Sequence, residues 1–324
     1  MMKGKPFIKW VGGKTQLITQ LENLLPKNLH MWENATYVEP FVGGGAMLFY
    51  ILQQYPNITR AIINDVNEDL ILCYKTVRDN VEQLIDSLAL IETEYHAISK
   101  EEKRKEFYLS IRNEYNNKRL NDIENATYFI FLNRTCFNGL YRVNKSGLFN
   151  VPFGRYKNPT ICDRATLRKD SELLQKVDFM SGDFEHTLKF AQKDTIYYLD
   201  PPYRPLNATS SFCDYTAQSF CDEDQIRLKE FCDKIHQSQA SFLQSNSDSK
   251  NTNDAISFFD RLYNNYDIHR VFATRHINSI GTKRGVISEI VVKNYDIKSY
   301  TLQPNENAIR STVNYHTKQP IPTY

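Results

Sequence analysis

The chain has 324 residues, of which 41% are hydrophobic and 24% charged, a composition typical of a globular protein with one large domain or two smaller ones. No run approaches the ~18 apolar residues that a membrane-spanning helix needs, residues 1–11 lack the apolar core of a secretory signal, and the six cysteines and seven histidines show no metal-ligand spacing. We therefore expect a cytoplasmic protein without a membrane segment or a metal site, and the net charge of +2 does not by itself indicate a nucleic-acid ligand.

The N-terminal segment contains a Gly-Gly-Lys-Thr run ahead of a predicted amphipathic helix at residues 17–25. A P-loop would need glycine where Ile8 stands, so we set nucleotide hydrolysis aside. The glycines still allow a close backbone approach to a ligand, with Trp10 as a stacking surface and Lys14 as a cation. Taken alone, the segment fits a structural helix start equally well.

A strand, a glycine turn and a helix are predicted next, at residues 36–41, 42–45 and 46–54. This order is the first half of a nucleotide-binding βα unit, in which small residues let a ligand lie against the backbone. Glu39 precedes the turn and the G-x-G-x-x-G spacing is missing, so no pyrophosphate cradle is evident. A ligand with a ribose and an amine but no phosphates, such as S-adenosylmethionine, suits these residues better.

Asp65 ends a second predicted strand at residues 60–64, 20 residues after Gly45. Nucleotide-binding folds place an acid on the ribose hydroxyls at this spacing. The alternative is that Asp65 caps the helix predicted at residues 68–78.

The middle of the chain changes in character. Residues 81–125 are polar with a helical pattern, and residues 125–169 hold eight basic residues against the single acid Asp163, a net charge of +7. Arginine, asparagine and aromatic residues interleave there, around a hairpin turn predicted at residues 145–147. Such residues read base edges, neutralise phosphates and wedge into base stacks, although the aromatics could equally form the core of a small helix-plus-hairpin subdomain.

The α/β pattern resumes beyond residue 170, with predicted strands at 177–181, 194–199, 240–244, 266–274 and 286–293 and helices at about 221–237 and 252–263. One strand runs into Asp200-Pro201-Pro202-Tyr203, where the two prolines stop the hydrogen-bonded ladder. A carboxylate and an aromatic ring thus flank a stiff turn at the sheet edge where α/β proteins bind ligands. An ordinary strand followed by a proline-rich loop is the plainer interpretation.

Six motifs occur in a fixed order: Phe7-Ile8-Lys9-Trp10-x-Gly-Gly-Lys14, Glu39-Pro40-Phe41-x-Gly-x-Gly45, Asn64-Asp65-x-Asn67, Asn138-Gly139-Leu140-x-Arg142, Phe149-Asn150-Val151-Pro152-x-Gly154-Arg155-Tyr156 and Asp200-Pro201-Pro202-Tyr203. Across residues 6–296 the chain resembles the Dam-type DNA adenine-N6 methyltransferases (D12 class, alpha group), most closely the methylases of GATC restriction-modification systems. The resemblance implies an α/β fold, a Rossmann-like S-adenosylmethionine-dependent methyltransferase sheet made by residues 1–74 and 171–300. It also implies a mainly helical target-recognition domain carrying a hairpin at residues 75–170, and a C-terminal tail at 301–324.

The resemblance also implies three groups of site residues. S-adenosylmethionine would contact Trp10, Lys14, Glu39, Phe41, Gly43, Gly45, Asp65, Asp183, Phe184 and Asp200. DNA would contact Arg134, Phe137, Asn138, Leu140, Arg142, Arg155 and Tyr156, with Phe137 intercalating. Catalysis would use Asp200, Pro201, Pro202 and Tyr203, with Asp200 and the Pro201 carbonyl accepting the two N6 hydrogens of a flipped adenine and Tyr203 stacking on its base.

The implied activity is methyl transfer from S-adenosylmethionine to adenine N6 in double-stranded DNA, within GATC, by a prokaryotic or phage-encoded enzyme. It would be the modification half of a type II restriction system, sharing its site with a cognate endonuclease without a stable complex. The alternatives are RNA adenine, DNA cytosine N4 or a protein amide as acceptor, and a non-catalytic DNA-binding protein with a methyltransferase fold. Aspartate at position 200 favours adenine, the basic segment favours nucleic acid, and intact Lys14, Asp65 and Tyr203 argue against loss of catalysis.

Overall fold

The computed structural model describes residues 3–203, 220–248, 258–274 and 286–295. The strands in these ranges are β1 (Ala35–Glu39), β2 (Ile58–Asp65), β3 (Val177–Ser181), β4 (Thr195–Leu199), β5 (Ser241–Ser247), β6 (Asp267–Thr274) and β7 (Val286–Lys293). They form one sheet in the order β3-β2-β1-β4-β5-β7-β6, in which β7 is antiparallel to both neighbours and the other pairs are parallel. The strand order reverses between β1 and β4, which makes that edge the expected ligand site.

The α-helices in the described ranges are α1 (Ile18–Glu22), α2 (Ala46–Gln54), α3 (Glu68–Asp79), α4 (Val81–Ala97), α5 (Glu101–Asn116), α6 (Asp122–Thr135), α7 (Arg164–Leu174), α8 (Asp222–Gln237) and α9 (Phe258–Leu262). Local sequence explains where several begin. Asn121 and Glu124 form a capping box at the start of α6, and the Asn67 side chain accepts a hydrogen bond from Leu70 N at the start of α3. Helix α6 then packs against α3, α4 and α5.

The core lies on both faces of the sheet. All five residues of β4 are buried, as expected for a parallel strand covered on both sides. Tyr37 and Tyr198 belong to one apolar cluster, whereas their chain neighbours Val38 and Tyr197 belong to another. Successive side chains of a strand point to opposite faces, so these two clusters are the two layers of the molecule.

A hairpin-like segment follows α6. Isolated bridges pair Cys136 with Phe153 and Val143 with Phe149, and Gly147 N donates to Asn144 O over 2.9 Å, which confirms the predicted turn. Gly147 has a φ of 73°, a conformation that glycine adopts without strain. Phe149 and Phe153 are buried, so part of the aromatic content of this segment is core, as the alternative interpretation held.

The predicted α/β class is confirmed, and the bounds of several elements differ from the predicted ones. Helix α1 is shorter than the predicted 17–25, and of the helix predicted at 252–263 the structure describes residues 258–262. The division of the chain at residue 170, which stays a prediction, lies within α7. The tail at 301–324 lies outside the described residues.

No helix in the described ranges combines the length and apolar character that crossing a bilayer requires.

Candidate active site

Acidic side chains follow three neighbouring parallel strands. Glu39 is the last residue of β1, Asp65 is the last of β2, and Asp200 comes directly after β4. Because parallel strands present their carboxyl ends at one edge of a sheet, the three carboxylates gather at the switch point between β1 and β4. The sequence had predicted this gathering.

Lys14 links the N-terminal segment to this edge. Its side chain is only 3% exposed, and Nζ lies 2.7 Å from Asp200 Oδ1 and donates to the Tyr203 hydroxyl over 2.6 Å. A third hydrogen bond, of 3.1 Å, reaches the carbonyl of Gly12. These three acceptors satisfy the ammonium group and fix its position between the catalytic candidates.

Within the described part of the chain, donors occupy one of the two oxygens of Asp200. Oδ1 binds Lys14 and also accepts from the Ser245 hydroxyl at 3.2 Å, and Ser245 is 3.1 Å from the Tyr198 hydroxyl. Among the described residues no donor binds Oδ2 of Asp200 or the carbonyl of Pro201. The carboxylate is therefore oriented through one oxygen and can accept from a ligand through the other.

Two buried side-chain amides support the proline turn. Gln225 Nε2 of α8 donates to the Pro202 carbonyl at 3.4 Å, and Asn246 Nδ2 of β5 donates to Gln225 Oε1 at 2.9 Å. Gln225 and Asn246 are both completely buried. This chain of amides ties the turn to the neighbouring strand and helix, which adds to the rigidity that the two prolines supply.

Asp65 holds the glycine turn. Its Oδ2 accepts from Gly43 N over 3.1 Å, and its Oδ1 accepts from Asn67 N over 3.0 Å. Gly43 and Gly45 have φ values of 46° and 71°, in the left-handed region that favours glycine. Asn67, not Asp65, caps α3, so the capping alternative for Asp65 is wrong and its carboxylate serves the loop instead.

The Trp10 indole covers the glycine turn. A Cβ atom added at Gly43 would come within 2.7 Å of the indole Cδ1 and Nε1 atoms, and one added at Gly44 would come within 2.9 Å of Trp10 Cβ. Side chains at these two positions would displace the ring. The glycines therefore permit contact between the aromatic surface and the backbone.

Two aromatic rings flank the edge beyond β3. Phe41 and Phe184 lie with ring centroids 5.2 Å apart, and the Arg227 guanidinium lies 4.6 Å from the centroid of the Phe184 ring. Arg227 also pairs with Asp183 and, at 3.0 Å, with Glu185. Arg227 thus contacts both Asp183 and Phe184, and the sequence analysis does not identify it as a site residue.

Glu289 of β7 adds a fourth carboxylate that sequence reasoning also missed. Its Oε2 lies 3.6 Å from Lys14 Nζ, its side chain is 13% exposed, and Oε2 has no hydrogen-bond partner among the described residues. The available signal was a single acid within a mainly apolar strand, Val286–Lys293. The antiparallel insertion of β7 next to β5, which brings it to the site, has no local signature.

Burial raises the pKa of all four carboxyl groups. Desolvation is the largest cause for Glu39, Asp65, Asp200 and Glu289, and neighbouring acids raise the pKa of Glu39 and Glu289 further. Lys14 acts in the opposite direction on Asp200 and Glu289, as the Tyr37 hydroxyl does on Glu39 through a hydrogen bond of 2.7 Å. Among the described residues, Lys14 is the cation in contact with this group of acids, so the pocket becomes negative as the four carboxyl groups ionise.

Comparison with known proteins identifies the family. Residues 10–277 match the model of the D12 class N6 adenine-specific DNA methyltransferases. The chain belongs to this family. This adenine-N6 DNA methyltransferase is 47% identical over 297 residues to the type II methyltransferase M.MjaIII of Methanocaldococcus jannaschii, an alignment that covers 91% of this chain and 100% of the relative.

Two further relatives support the same assignment. The type II methyltransferase M1.LlaDCHI of Lactococcus lactis subsp. cremoris is 39% identical over 90% of this chain and 95% of its own length. The DNA adenine methylase of Vibrio cholerae is 33% identical over 90% of this chain and 96% of its own. The expected family and enzyme class are thereby confirmed.

The predicted DNA-contacting residues of the methyltransferase fall into three groups. Phe137 is 51% exposed on a short turn at residues 137–139, and Asn138, Arg142 and Arg155 are also exposed. Leu140 and Tyr156 are half-buried, with Lys9 Nζ 4.9 Å from the centroid of the Tyr156 ring. Arg134 differs, because it faces inward and donates to the Phe7 carbonyl over 2.6 Å.

The positive charge of residues 125–169 is not shared evenly. Arg168 forms a two-pronged ion pair with Glu82, with both hydrogen bonds at 2.7 Å, and Lys169 lies 2.7 Å from Glu172. By contrast, Arg142 bonds a neutral side chain, Asn150 Oδ1, at 2.8 Å. Arg155, farther along the chain, lies 3.7 Å from Glu101 Oε1, so Arg142 is the exposed arginine of this region whose hydrogen-bond partner is neutral.

Proposed function

We propose that this methyltransferase transfers a methyl group from S-adenosylmethionine to the N6 atom of an adenine flipped out of duplex DNA, within the sequence GATC. The observation that carries the proposal is the hydrogen bonding of the Asp200 carboxylate. Lys14 and Ser245 hold one carboxylate oxygen, whereas the other oxygen and the adjacent Pro201 carbonyl have no donor among the described residues. The site thus offers two acceptors on one rigid turn.

Two acceptors suit an exocyclic amine. The lone pair of adenine N6 is delocalised into the ring, and the amine becomes a better nucleophile when its two hydrogens are held out of the ring plane. Asp200 Oδ2 and the Pro201 carbonyl would accept these hydrogens, while Pro202 keeps the turn stiff. Catalysis would then rest on positioning, without a covalent enzyme intermediate.

The charge of the pocket supports S-adenosylmethionine as the cofactor. When bound, S-adenosylmethionine supplies an electrophilic methyl group on a sulfonium cation, next to an ammonium group. Ionisation of all four acids would leave the pocket negative, because Lys14 is the cation that contacts two of them in the described part of the chain, and burying uncompensated charge is costly. A cationic ligand relieves this cost, so the donor set fits the cofactor.

Different side chains would contact different parts of the cofactor. Glu39 and the glycine turn at Gly43 and Gly45 would hold the amino-acid end, and Asp65 would face the ribose. The adenine would lie near Phe41, Asp183 and Phe184, where two rings and the Arg227–Asp183 pair already meet. Trp10, Lys14 and Asp200 would complete the contacts.

The buried position of Asp200 and the Pro201 carbonyl supports base flipping. Asp200 is buried enough that only 19% of its side chain is exposed, and it sits at the sheet edge among strands. An adenine inside a duplex cannot present N6 there, so the base has to leave the stack. Tyr203, whose hydroxyl is bonded to Lys14 in this structure, would offer its ring to the flipped base.

Residues 75–170 would form the target-recognition domain. Phe137 is the exposed apolar side chain suited to entering the gap in the base stack, and Asn138 and Arg142 have the hydrogen-bonding groups that read adenine and guanine edges. GATC as the site rests on the resemblance to GATC methylases. The names of two relatives as type II methyltransferases support a cognate restriction endonuclease as functional partner.

The test is methylation of defined duplexes. The protein would be incubated with methyl-labelled S-adenosylmethionine and matched duplexes containing GATC or a single-base variant of it. We expect N6-methyladenine in the GATC duplex and resistance of that duplex to an endonuclease blocked by GATC methylation. Equal labelling of both duplexes would remove GATC from the proposal, and methylated cytosine in place of adenine would overturn the acceptor.

A further inference from the structure

The Trp10 indole is packed between two parts of the molecule. One side covers the glycine turn, where a Cβ at Gly43 would come within 2.7 Å of the ring. Tyr141 also stacks on the indole, with ring centroids 5.8 Å apart and planes inclined by 21°. Tyr141 belongs to the segment that carries the proposed DNA contacts, so this stack joins the two binding regions.

The Tyr141 hydroxyl lies near the side chains of Tyr115 and Asn67, which lower its pKa against the larger effect of burial. Asn67 in turn donates its backbone N–H to Asp65 Oδ1 at 3.0 Å, and the other oxygen of Asp65 accepts from Gly43 N. Asn67 and Asp65 therefore connect the surroundings of Tyr141 to the glycine turn, in addition to the direct contact of Trp10 with that turn.

On its other side, Tyr141 is fixed to the hairpin. It lies between Leu140 and Arg142, and the Arg142 carbonyl accepts from Asn150 N at 3.1 Å. Its ring also contacts Phe129 and Phe149, with centroids 5.5 and 5.7 Å away. A shift of the backbone at 137–142 would therefore move a ring that touches the cofactor side.

We propose that Tyr141 is a positioning residue that couples DNA binding at the hairpin to cofactor binding at the glycine turn. The proposal rests on the proposed function, because it requires both ligands. DNA that fixes residues 137–142 would fix Tyr141, and through it Trp10 and Asn67. Linkage then requires the cofactor to strengthen DNA binding by the same factor.

The experiment measures the coupling directly. Calorimetry would give the Kd of S-adenosylhomocysteine, which cannot donate a methyl group, with and without a saturating duplex that the enzyme methylates. For the wild type we expect DNA to tighten binding by a factor in the usual range of about 5 to 150. Tyr141→Leu should bring this factor close to one, whereas Tyr141→Phe, which keeps the ring, should retain most of it.

Phe129→Leu is the matched control. It removes a ring that contacts Tyr141 within the insert and leaves the Trp10 stack in place. We expect a lower Tm with coupling retained. If Phe129→Leu removed the coupling as fully as Tyr141→Leu, general loosening of the insert would explain the effect and the proposal would fail.

Two other outcomes overturn the proposal. If DNA did not change the Kd of S-adenosylhomocysteine for the wild-type protein, the two sites would not be coupled and Tyr141 could have no such role. If Tyr141→Leu kept the wild-type coupling factor, Tyr141 would not be the residue that couples the sites. Failure of the proposed function looks different, since wild-type protein would then transfer no methyl group from S-adenosylmethionine to duplex DNA.

Discussion

The sheet edge and the hairpin have opposite charge and opposite exposure. At the edge, four largely buried carboxylates gather, of which Asp200 and Glu289 lie 2.7 and 3.6 Å from Lys14 Nζ. At the hairpin, Arg142 and Arg155 are exposed and Phe137 projects from the surface. The difference separates two tasks, because a small cation requires a preformed acidic pocket, whereas a polyanion requires accessible positive charge.

The largest expected effect comes from Asp200→Asn. The variant keeps the shape of the side chain but replaces the charged acceptor, so we expect methyl transfer to fall on the order of 100- to 1000-fold, as when other preorganised polar groups of active sites are removed. DNA affinity should stay within a few fold of wild type, because the hairpin is untouched. Single-turnover kinetics measures the rate of methyl transfer, and a gel-shift titration measures the DNA affinity. Equal loss of DNA binding would show that Asp200 supports the fold instead.

Arg142→Ala addresses the hairpin. If Arg142 reads a guanine edge, the variant should lose about 1–3 kcal/mol of discrimination between GATC and an altered site. Competition binding with the two duplexes measures this loss. Arg168→Ala is the matched control, since Arg168 belongs to the same basic segment but is already paired with Glu82. Similar losses in both variants would mean that general charge, rather than base reading, is at work.

Glu289→Gln addresses the pocket charge. Because burial raises the pKa of Glu39, Asp65, Asp200 and Glu289, protonation begins at a higher pH than for exposed acids. Their ionised forms attract the cationic cofactor, so its KM should rise as pH falls. Removing one acid should raise KM at neutral pH and make this dependence shallower. A KM that does not vary with pH in the wild type would contradict the charge argument.

Asp170→Asn gives the smallest effect, on stability alone. Asp170 of α7 is completely buried and accepts from Lys5 N at 3.1 Å, and burial raises its pKa from the usual 3.8 to about 8. Because the pKa is higher in the folded state, its contribution to stability is complete below pH 3.8 and is lost as pH rises through about 8.

The Tm advantage of Asp170→Asn over wild type should therefore grow between pH 5 and about pH 9, which thermal melts can follow. Glu172→Gln, at an exposed position of the same helix, should follow the wild type. A constant offset between Asp170→Asn and wild type at every pH would exclude ionisation of Asp170 as the cause.

Much of the sheet was predictable because several strands, such as β4, are buried on both faces or end at acids, prolines or glycines. β3 and β7 have the predicted bounds, and β4 begins within a residue of its prediction. Strand order was not predictable from these patterns, since periodicity reports burial and not which strand is the neighbour. The family resemblance implied a Rossmann-like sheet, and the order of its strands comes from the structure.

The candidate site was predictable where a residue type is tied to a local motif, as for Lys14, Asp65 and Asp200. Glu289, Arg227 and Tyr141 lie within ordinary-looking strand, helix and loop sequence. Their importance depends on contacts made across the fold, such as the 3.6 Å approach of Glu289 to Lys14. Arg134 is the opposite case. The resemblance implies a DNA contact for this basic residue, whereas in the structure its side chain donates to the Phe7 carbonyl.

The contact of Lys14 with Glu289 joins the N-terminal segment to β7, the last described strand. Glu289 is on β7, which enters the sheet between β5 and β6 although it follows both in the chain. The pocket consequently lacks one of its walls until residues 286–293 have paired with β5. During synthesis a nascent chain could form the parallel strands early, yet it would become competent for its reaction only with that final insertion.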